Sequence, residues 1–259
     1  MISLYELEKS YGNNGTTGPQ ILQNVSLSLP RGEFTCVLGP SGCGKTTLLN
    51  LIAGFTRPTS GNLHVDGCEI TGPGPDRGVV FQEATLFPWL TVLKNVEFGL
   101  RQQGKTKGTC TEEAMHCLGL VGMADQANAY PHTLSGGMKQ RVAIARVLAL
   151  KPDVLLMDEP FSALDANTRE RLQDELLRLW EMFGQTVFYV THSVEEAAFL
   201  ADRVIIMGPS PHNIRADIQI DLPRPRMRYS QEMEAVVHNL RHELNTLPCC
   251  IGPSKGKIT

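Results

Sequence analysis

No stretch of the sequence approaches the roughly 18 uninterrupted apolar residues that a membrane-spanning helix requires. The opening residues MISLYELEKS carry Glu6 and Glu8 where a secretory signal would need an apolar run, so no leader is expected. Any role at a membrane must then come through a partner. A dominant charge is missing too: 27 acidic residues against 24 basic give a formal charge of -3, which offers no basic footprint for nucleic acid or an anionic bilayer. The seven scattered cysteines include no C-x-x-C pair for zinc, and their odd number fits a reducing compartment. There is no internal repeat and no low-complexity block.

The 259 residues suffice for a sizeable core without disulfide or metal staples, as one domain or one with a subdomain. About the first eighty residues read as short strands between Gly and Pro clusters (ISLYELEKSY, LQNVSLSL, EFTCVLG, GNLHVDG, RGVVFQ), interrupted by the helix GKTTLLNLIAGF. From 90 to 150 the apolar period becomes helical in VLKNVEFGLRQQ, TEEAMHCLGLVG and GGMKQRVAIARVLAL. DVLLMDEP, RERLQDELLRLWEMFG and TVFYVTH then read as strand, helix and strand, which suggests parallel pairing; VEEAAFLAD, RVIIMG and IRADIQIDL extend the alternation. The basic run RPRMR, residues 224–228, reads as a solvated face. An amphipathic helix from Ser230 to Leu244 precedes a tail expected to be poorly ordered.

GPSGCGKT, Gly39 to Thr46, fits G-x-x-x-x-G-K-[ST], with an apolar strand FTCVL entering and a helix leaving. The glycines let successive N–H groups converge on phosphate oxygens, and the helix N-terminus adds a favourable dipole. Nucleotide-binding candidates are therefore Gly39, Pro40, Ser41, Gly42, Cys43, Gly44, Lys45, Thr46 and Thr47. Lys45 would neutralise β/γ charge and the Thr46 hydroxyl would meet Mg²⁺. The loop's positive field could lower the Cys43 thiol pKa; a thiol alkylator is then expected to abolish ATPase activity, with bound ATP protecting.

VLLMDEP ends a buried strand with Asp158 and Glu159, which would sit beside the phosphate loop if the two strands are neighbours. Side chains alternate across a strand, so the pair divides its labour: Asp158 to Mg²⁺ through water, Glu159 as general base on the attacking water. His192 closes FYVTH at a strand's carboxyl end, where it could donate to the γ-phosphate or be structural. LSGGMKQR, residues 134–141, looks like a second phosphate grip, with Ser135, Gly136 and Gly137 opening another helix.

Together these motifs resemble the ATP-binding subunit of ABC transporters along nearly the whole chain, LSGGMKQR resembling the family's signature. The resemblance implies an α/β fold, a P-loop NTPase of ABC type, with a RecA-like parallel-sheet core, an antiparallel β subdomain and a helical insert. It implies an ATPase domain over residues 1–229, divided near 1–83, 84–150 and 151–229, followed by a C-terminal helix and tail, 230–259. In that family ATP is sandwiched between two subunits arranged head to tail, so Ser135, Gly136 and Gly137 of one chain face the γ-phosphate on the other's P-loop. The same resemblance makes Tyr11 an adenine platform, packing being the alternative. It gives Gln82 contact with Mg²⁺ and the attacking water, places SALD, residues 162–165, at the dimer interface, and makes His192 the switch histidine. Met138 stands where many relatives have Gln, with Gln140 two positions on.

FQEATLFPWLTVLKNVEFGL, TGPGPDRGVVFQ and LPRPR resemble the branch that imports nitrate, aliphatic sulfonates and taurine, most of all its taurine and sulfonate members. The implied partners are a second copy of the chain, integral permease subunits and, indirectly, a solute-binding protein. ATP and Mg²⁺ are the implied cofactors, and the implied location is the cytoplasmic face of the inner membrane. Leu86, Phe87, Pro88, Trp89 and Leu90 would suit a groove for a permease helix, or else pack the helical insert. A soluble ABC-type ATPase acting on nucleic acid or ribosomes is the rival; one ATPase unit, a short insert and no basic stripe speak against it. A P-loop GTPase or small-molecule kinase is a third reading, but there is no N-K-x-D guanine reader and neither class explains the signature helix.

Overall fold

The computed structural model describes residues 1–11, 18–211 and 213–246. The expected tail beyond residue 246 lies outside them. The chain begins with β1 (Ile2–Ser10), β2 (Gln20–Leu29) and β3 (Phe34–Leu38), followed by α1 (Lys45–Ile52). Three strands come next, β4 (Ser60–Val65), β5 (Cys68–Glu69) and β6 (Arg77–Val80), then the helices α2 (Val92–Gln102), α3 (Lys107–Leu120) and α4 (Gly136–Leu148). The alternating part consists of β7 (Val154–Asp158), α5 (Ala166–Phe183), β8 (Thr186–Val190), α6 (Val194–Leu200) and β9 (Arg203–Met207). β10 (Ile214–Gln219) and α7 (Gln231–Asn245) close the described chain.

The strands divide between two sheets. β2-β1-β4-β5 is antiparallel, whereas the six-stranded sheet has the order β10-β9-β3-β8-β7-β6, parallel except for the edge strand β10. β3 and β6 thus leave the early strand-rich region to join the parallel sheet. Buried on both faces, the central strands read as continuous apolar runs, and their period of two sorts them between two cores. Phe34, Cys36, Leu38, Leu155, Met157, Val187 and Tyr189 face the helices. Val37, Val154, Leu156, Phe188 and Val190 face the antiparallel sheet and α1.

Caps fix where the helices start. Thr91, Thr106, Ser135, Asp165, Ser193 and Ser230 each accept an N–H from the first turn that follows, satisfying a donor with no partner within the helix. The Thr106 cap starts α3 at Lys107, ahead of the apolar run that the sequence pattern marks.

The basic run 224–228 is not a solvated face, and this corrects the sequence expectation. Arg226 is 8% exposed; its Nη1 donates to the carbonyls of Ala198 (2.9 Å), Phe199 (3.1 Å) and Ala201 (2.6 Å), and its Nε to Leu222 (3.0 Å). A cation is thereby lodged at the carboxyl end of α6, where the helix dipole favours it. Arg224 lies 4.6 Å over the Trp180 ring and pairs with Asp202; Arg228 lies 3.5 Å over Phe199 and bonds Asp174 and Gln173 on α5. The polypeptide is thus pinned before α7, which packs on the core through Met233 and Leu240 and pairs Arg241 with Glu195. Replacing Arg226 by Met strands several buried carbonyls and is expected to cost about 2–4 kcal/mol, read as a lower urea midpoint.

Candidate active site

Parallel pairing sends several strands out of one edge of the sheet, so the segments that follow them converge. β3 runs into Gly39, β6 into Phe81 and Gln82, β7 ends on Asp158 and β8 runs into Thr191 and His192. β3 and β7 are not neighbours, the condition on which the sequence reading placed Asp158 and Glu159 beside the phosphate loop, because β8 lies between them. Helix α1 spans the gap by packing across β7 and β8, and the Thr46 hydroxyl donates to Asp158 Oδ1 at 3.2 Å.

The phosphate loop tolerates little but glycine at two points. A Cβ on Gly39 would lie 2.4 Å from the Met207 carbonyl oxygen, and Gly44 has φ +106 with Leu22 2.7 Å from any added Cβ. Gly44 also caps α1 without a side chain, leaving the first N–H groups of that helix for an anion. Lys45 is buried and donates to the carbonyls of Gly39 (2.8 Å) and Pro40 (3.0 Å). Ser41, Gly42, Gly44, Lys45, Thr46 and Thr47 line a cleft of about 360 Å³, which Tyr11 and Glu159 also border. Tyr11 is exposed just past β1, with Lys9 Nζ 5.1 Å from its ring centroid. Pro40 contributes a carbonyl to the loop and does not line the cleft. Cys43 corrects the sequence expectation: its residue is 2% exposed and packs in the core beneath the loop, so an alkylating reagent has no direct approach.

The carboxylates take different orientations because the strand ends at Asp158. Glu159 has φ +45, a left-handed conformation that costs a non-glycine residue of order 1 kcal/mol. Its N–H is held by the Val190 carbonyl (2.9 Å), and its own carbonyl accepts from Ser162 N (3.2 Å) and Oγ (3.0 Å). The turned side chain places Oε2 2.8 Å from His192 Nδ1. Burial raises the Asp158 carboxyl above its ordinary range; the Thr46 hydroxyl opposes this, Glu159 adds to it and Lys45 opposes it. Thr46 and Asp158 thus offer two adjoining oxygens to a cation that would relieve a desolvated carboxylate, a donor set that suits Mg²⁺.

Ser135, Gly136 and Gly137 lie elsewhere. Ser135 Oγ accepts from Met138 N at 3.3 Å, and Ser135, Gly137 and Met138 border a second depression with Arg141 and Thr168, separate from the phosphate-loop cleft. Gly137 passes so close to α5 that a Cβ would lie 2.7 Å from Thr168 Cγ2. Within one chain the two grips are therefore not brought together. Gln82 is exposed beyond β6 and does not line the cleft. Its neighbour Phe81 is tied to the signature helix, since the buried Gln140 donates to the Phe81 carbonyl at 3.2 Å. Asp165 caps α5, and Arg169 donates to the carbonyls of Phe161 (3.2 Å) and Leu164 (2.8 Å), shaping the SALD loop.

The apolar stretch 86–90 fits a docking groove only in part. Trp89 is 72% exposed and Pro88 exposed, whereas Leu86, Phe87 and Leu90 are half-buried. The buried Asn95 holds the stretch, accepting from Phe87 N and donating to the carbonyls of Phe87, Leu90 and Thr91. Asn95, outside every motif, and Gln140, within the signature, do structural work that the motifs do not announce; a polar residue on the apolar face of a helix is the signal that marks them.

Comparison with known proteins agrees with this geometry. The family described as ABC transporter matches residues 22–162. The chain is 52% identical over 202 residues to the nitrate import ATP-binding protein NrtD of Synechocystis, covering 78% of this chain and 76% of that protein. It is likewise 52% identical over 201 residues to the taurine import ATP-binding protein TauB of Roseobacter denitrificans, covering 78% and 75%. Among solved structures, the dimeric ATP-binding cassette MJ0796 bound to ADP and Pi superposes with a TM-score of 0.74 at 33% identity, over 86% of this chain and all of that one.

An Asp whose folded pKa is raised favours folding while protonated and disfavours it once pH climbs through that pKa. Asp158→Asn is therefore expected to raise the nucleotide-free Tm at pH 7, the difference closing as pH falls below the carboxylate range. Thermal unfolding at several pH values checks this.

Proposed function

The chain belongs to the ABC transporter family and is an ATPase, and we propose that it drives import of a small anionic solute through separate permease subunits. Taurine, an aliphatic sulfonate or nitrate is the solute class, supported by the relatives NrtD and TauB and by the Phe81–Leu100 segment. No residue described here touches the solute; that selection falls to the permease and a solute-binding protein. Among the described residues no helix is long and apolar enough to cross a membrane, so attachment to the cytoplasmic face of the membrane would run through the permease.

One observation carries the reading: the phosphate-loop cleft is bordered by Glu159, which His192 contacts, but lacks the second grip, which the same chain exposes elsewhere. Two chains placed head to tail complete each other's sites. In the composite site, Lys45 exchanges its carbonyl partners for phosphate oxygens, and Ser135 with the α4 N–H groups of the partner copy meets the γ-phosphate. Mg²⁺, when bound by Thr46 and Asp158, neutralises phosphate charge. Glu159 accepts a proton from water as the water oxygen bonds the γ-phosphorus and the bond to the β-γ bridging oxygen breaks, giving ADP and phosphate. His192, bonded to Glu159, orients that carboxylate and faces the departing phosphate. Gln82, outside the cleft in the single chain, would reach the same water only as the two copies close, and its backbone neighbour Phe81 bonds α4, a mechanical route towards Trp89 and the permease.

The rival, an ATPase acting on nucleic acid or ribosomes, is less favoured: the longest helices between β6 and the signature, α2 and α3, have 11 and 14 residues, too short for a long coil.

Glu159→Gln is expected to retain ATP binding and lose roughly a hundredfold or more in turnover, by phosphate release; normal hydrolysis would remove Glu159 from the mechanism. Trp89→Ala is expected to leave the ATPase of the isolated chain intact and weaken permease docking by about thirtyfold, a hot-spot loss, in reconstituted transport. Equal loss of both activities would assign Trp89 to folding.

A further inference from the structure

Glu196, 7% exposed on α6, is a buried carboxylate that none of the roles above uses. Its Oε2 accepts from Thr191 Oγ1 at 2.5 Å and from the Tyr189 hydroxyl at 3.4 Å; its Oε1 accepts from Gln173 Nε2 at 3.0 Å, with Arg169 Nε at 4.0 Å. Burial of a carboxylate is costly unless such donors surround it, so the arrangement is a built one.

Its local pattern departs from an ordinary capping box. Ser193 caps α6 by accepting from Glu196 N at 3.2 Å, and a Glu at that position normally reaches back to the N–H of the capping residue. Here Thr191 Oγ1 accepts the Ser193 N–H at 3.0 Å and donates its own hydrogen bond to Glu196. Of the two residues flanking His192, Thr191 is thus fastened to the Glu196 carboxylate directly and Ser193 through the Thr191 hydroxyl, while the His192 side chain itself projects to Glu159. On the far side of that carboxylate, Arg169 clasps the Phe161 and Leu164 carbonyls of the loop that starts at Glu159. Both partners of the Glu159–His192 pair are therefore framed by groups that meet at Glu196.

We propose that Glu196 is a positioning residue for hydrolysis: it holds His192 in register with Glu159 and ties that register to the 161–165 loop at the expected dimer interface. The inference rests on the ATPase reading of His192 and Glu159. Glu196 is buried and does not line the phosphate-loop cleft, so its removal acts on turnover and leaves ATP affinity alone.

The test measures single-turnover hydrolysis, ATP KM and Tm for Glu196→Gln, His192→Ala and the double variant. Glu196→Gln is expected to slow hydrolysis between about ten- and a hundredfold, as for a displaced catalytic group, with KM unchanged. In the His192→Ala background the same change is expected to add nothing, because the residue acts through His192. Thr191→Val, which removes only the hydroxyl relay, should repeat the loss, and Thr191→Ser should restore near-native rates; this pair serves if Glu196→Gln does not fold. Unchanged hydrolysis in Glu196→Gln and Thr191→Val, a multiplied loss in the double variant, or a KM rising in step would overturn the inference while the ATPase reading stands. Full activity in His192→Ala would overturn the reading of His192 and this inference with it.

Discussion

Parallel pairing of β3, β8 and β7 makes three segments distant in sequence leave the sheet at one edge, and everything chemical in this chain depends on that convergence. The register is held by strands buried on both faces, where slipping by one residue would exchange the side chains of two different cores. A rigid edge can then carry a strained feature. Glu159 keeps a left-handed backbone because the Val190 carbonyl and Ser162 fix both its ends, and that turn aims its carboxylate at His192 rather than along Asp158.

The same edge leaves the site half-built. Phosphate-binding N–H groups are plentiful at α1, but the signature helix α4 opens into a different depression of the same chain. Its ties run instead to the segment after β6, through Gln140 to Phe81 and Arg146 to the Thr85 carbonyl at 2.8 Å. A movement of α4 towards a nucleotide held by another copy would therefore pull on the stretch that exposes Trp89, which gives transport coupling a physical path.

Legibility in the sequence followed the range of the interactions. The phosphate loop reads directly because strand, glycines, Lys45 and Thr46 are contiguous and the glycines are required by local backbone geometry. The strand-helix-strand run from β7 to β8 reads equally well from its apolar periods. The position of β8 between β3 and β7 could not be read, since strand order is a long-range property that spacing does not encode. Arg224, Arg226 and Arg228 looked solvated because their partners are helix-end carbonyls and aromatic faces far away in sequence. Cys43 looked reactive because its loop is electropositive, but the direction of its side chain, into the core, is set by tertiary packing. Glu196 carries no motif of its own and becomes visible only when α5, β8 and α6 are assembled around it.

Two chains are proposed to complete one another's ATP sites through Ser135 and its glycines. Sedimentation of the purified chain with and without a non-hydrolysable ATP analogue, beside Ser135→Arg, tests it most directly. The analogue is expected to double the mass, and Ser135→Arg to abolish the doubling while single chains still bind nucleotide. A chain that binds the analogue and keeps its mass, or a dimer indifferent to both analogue and substitution, would contradict it.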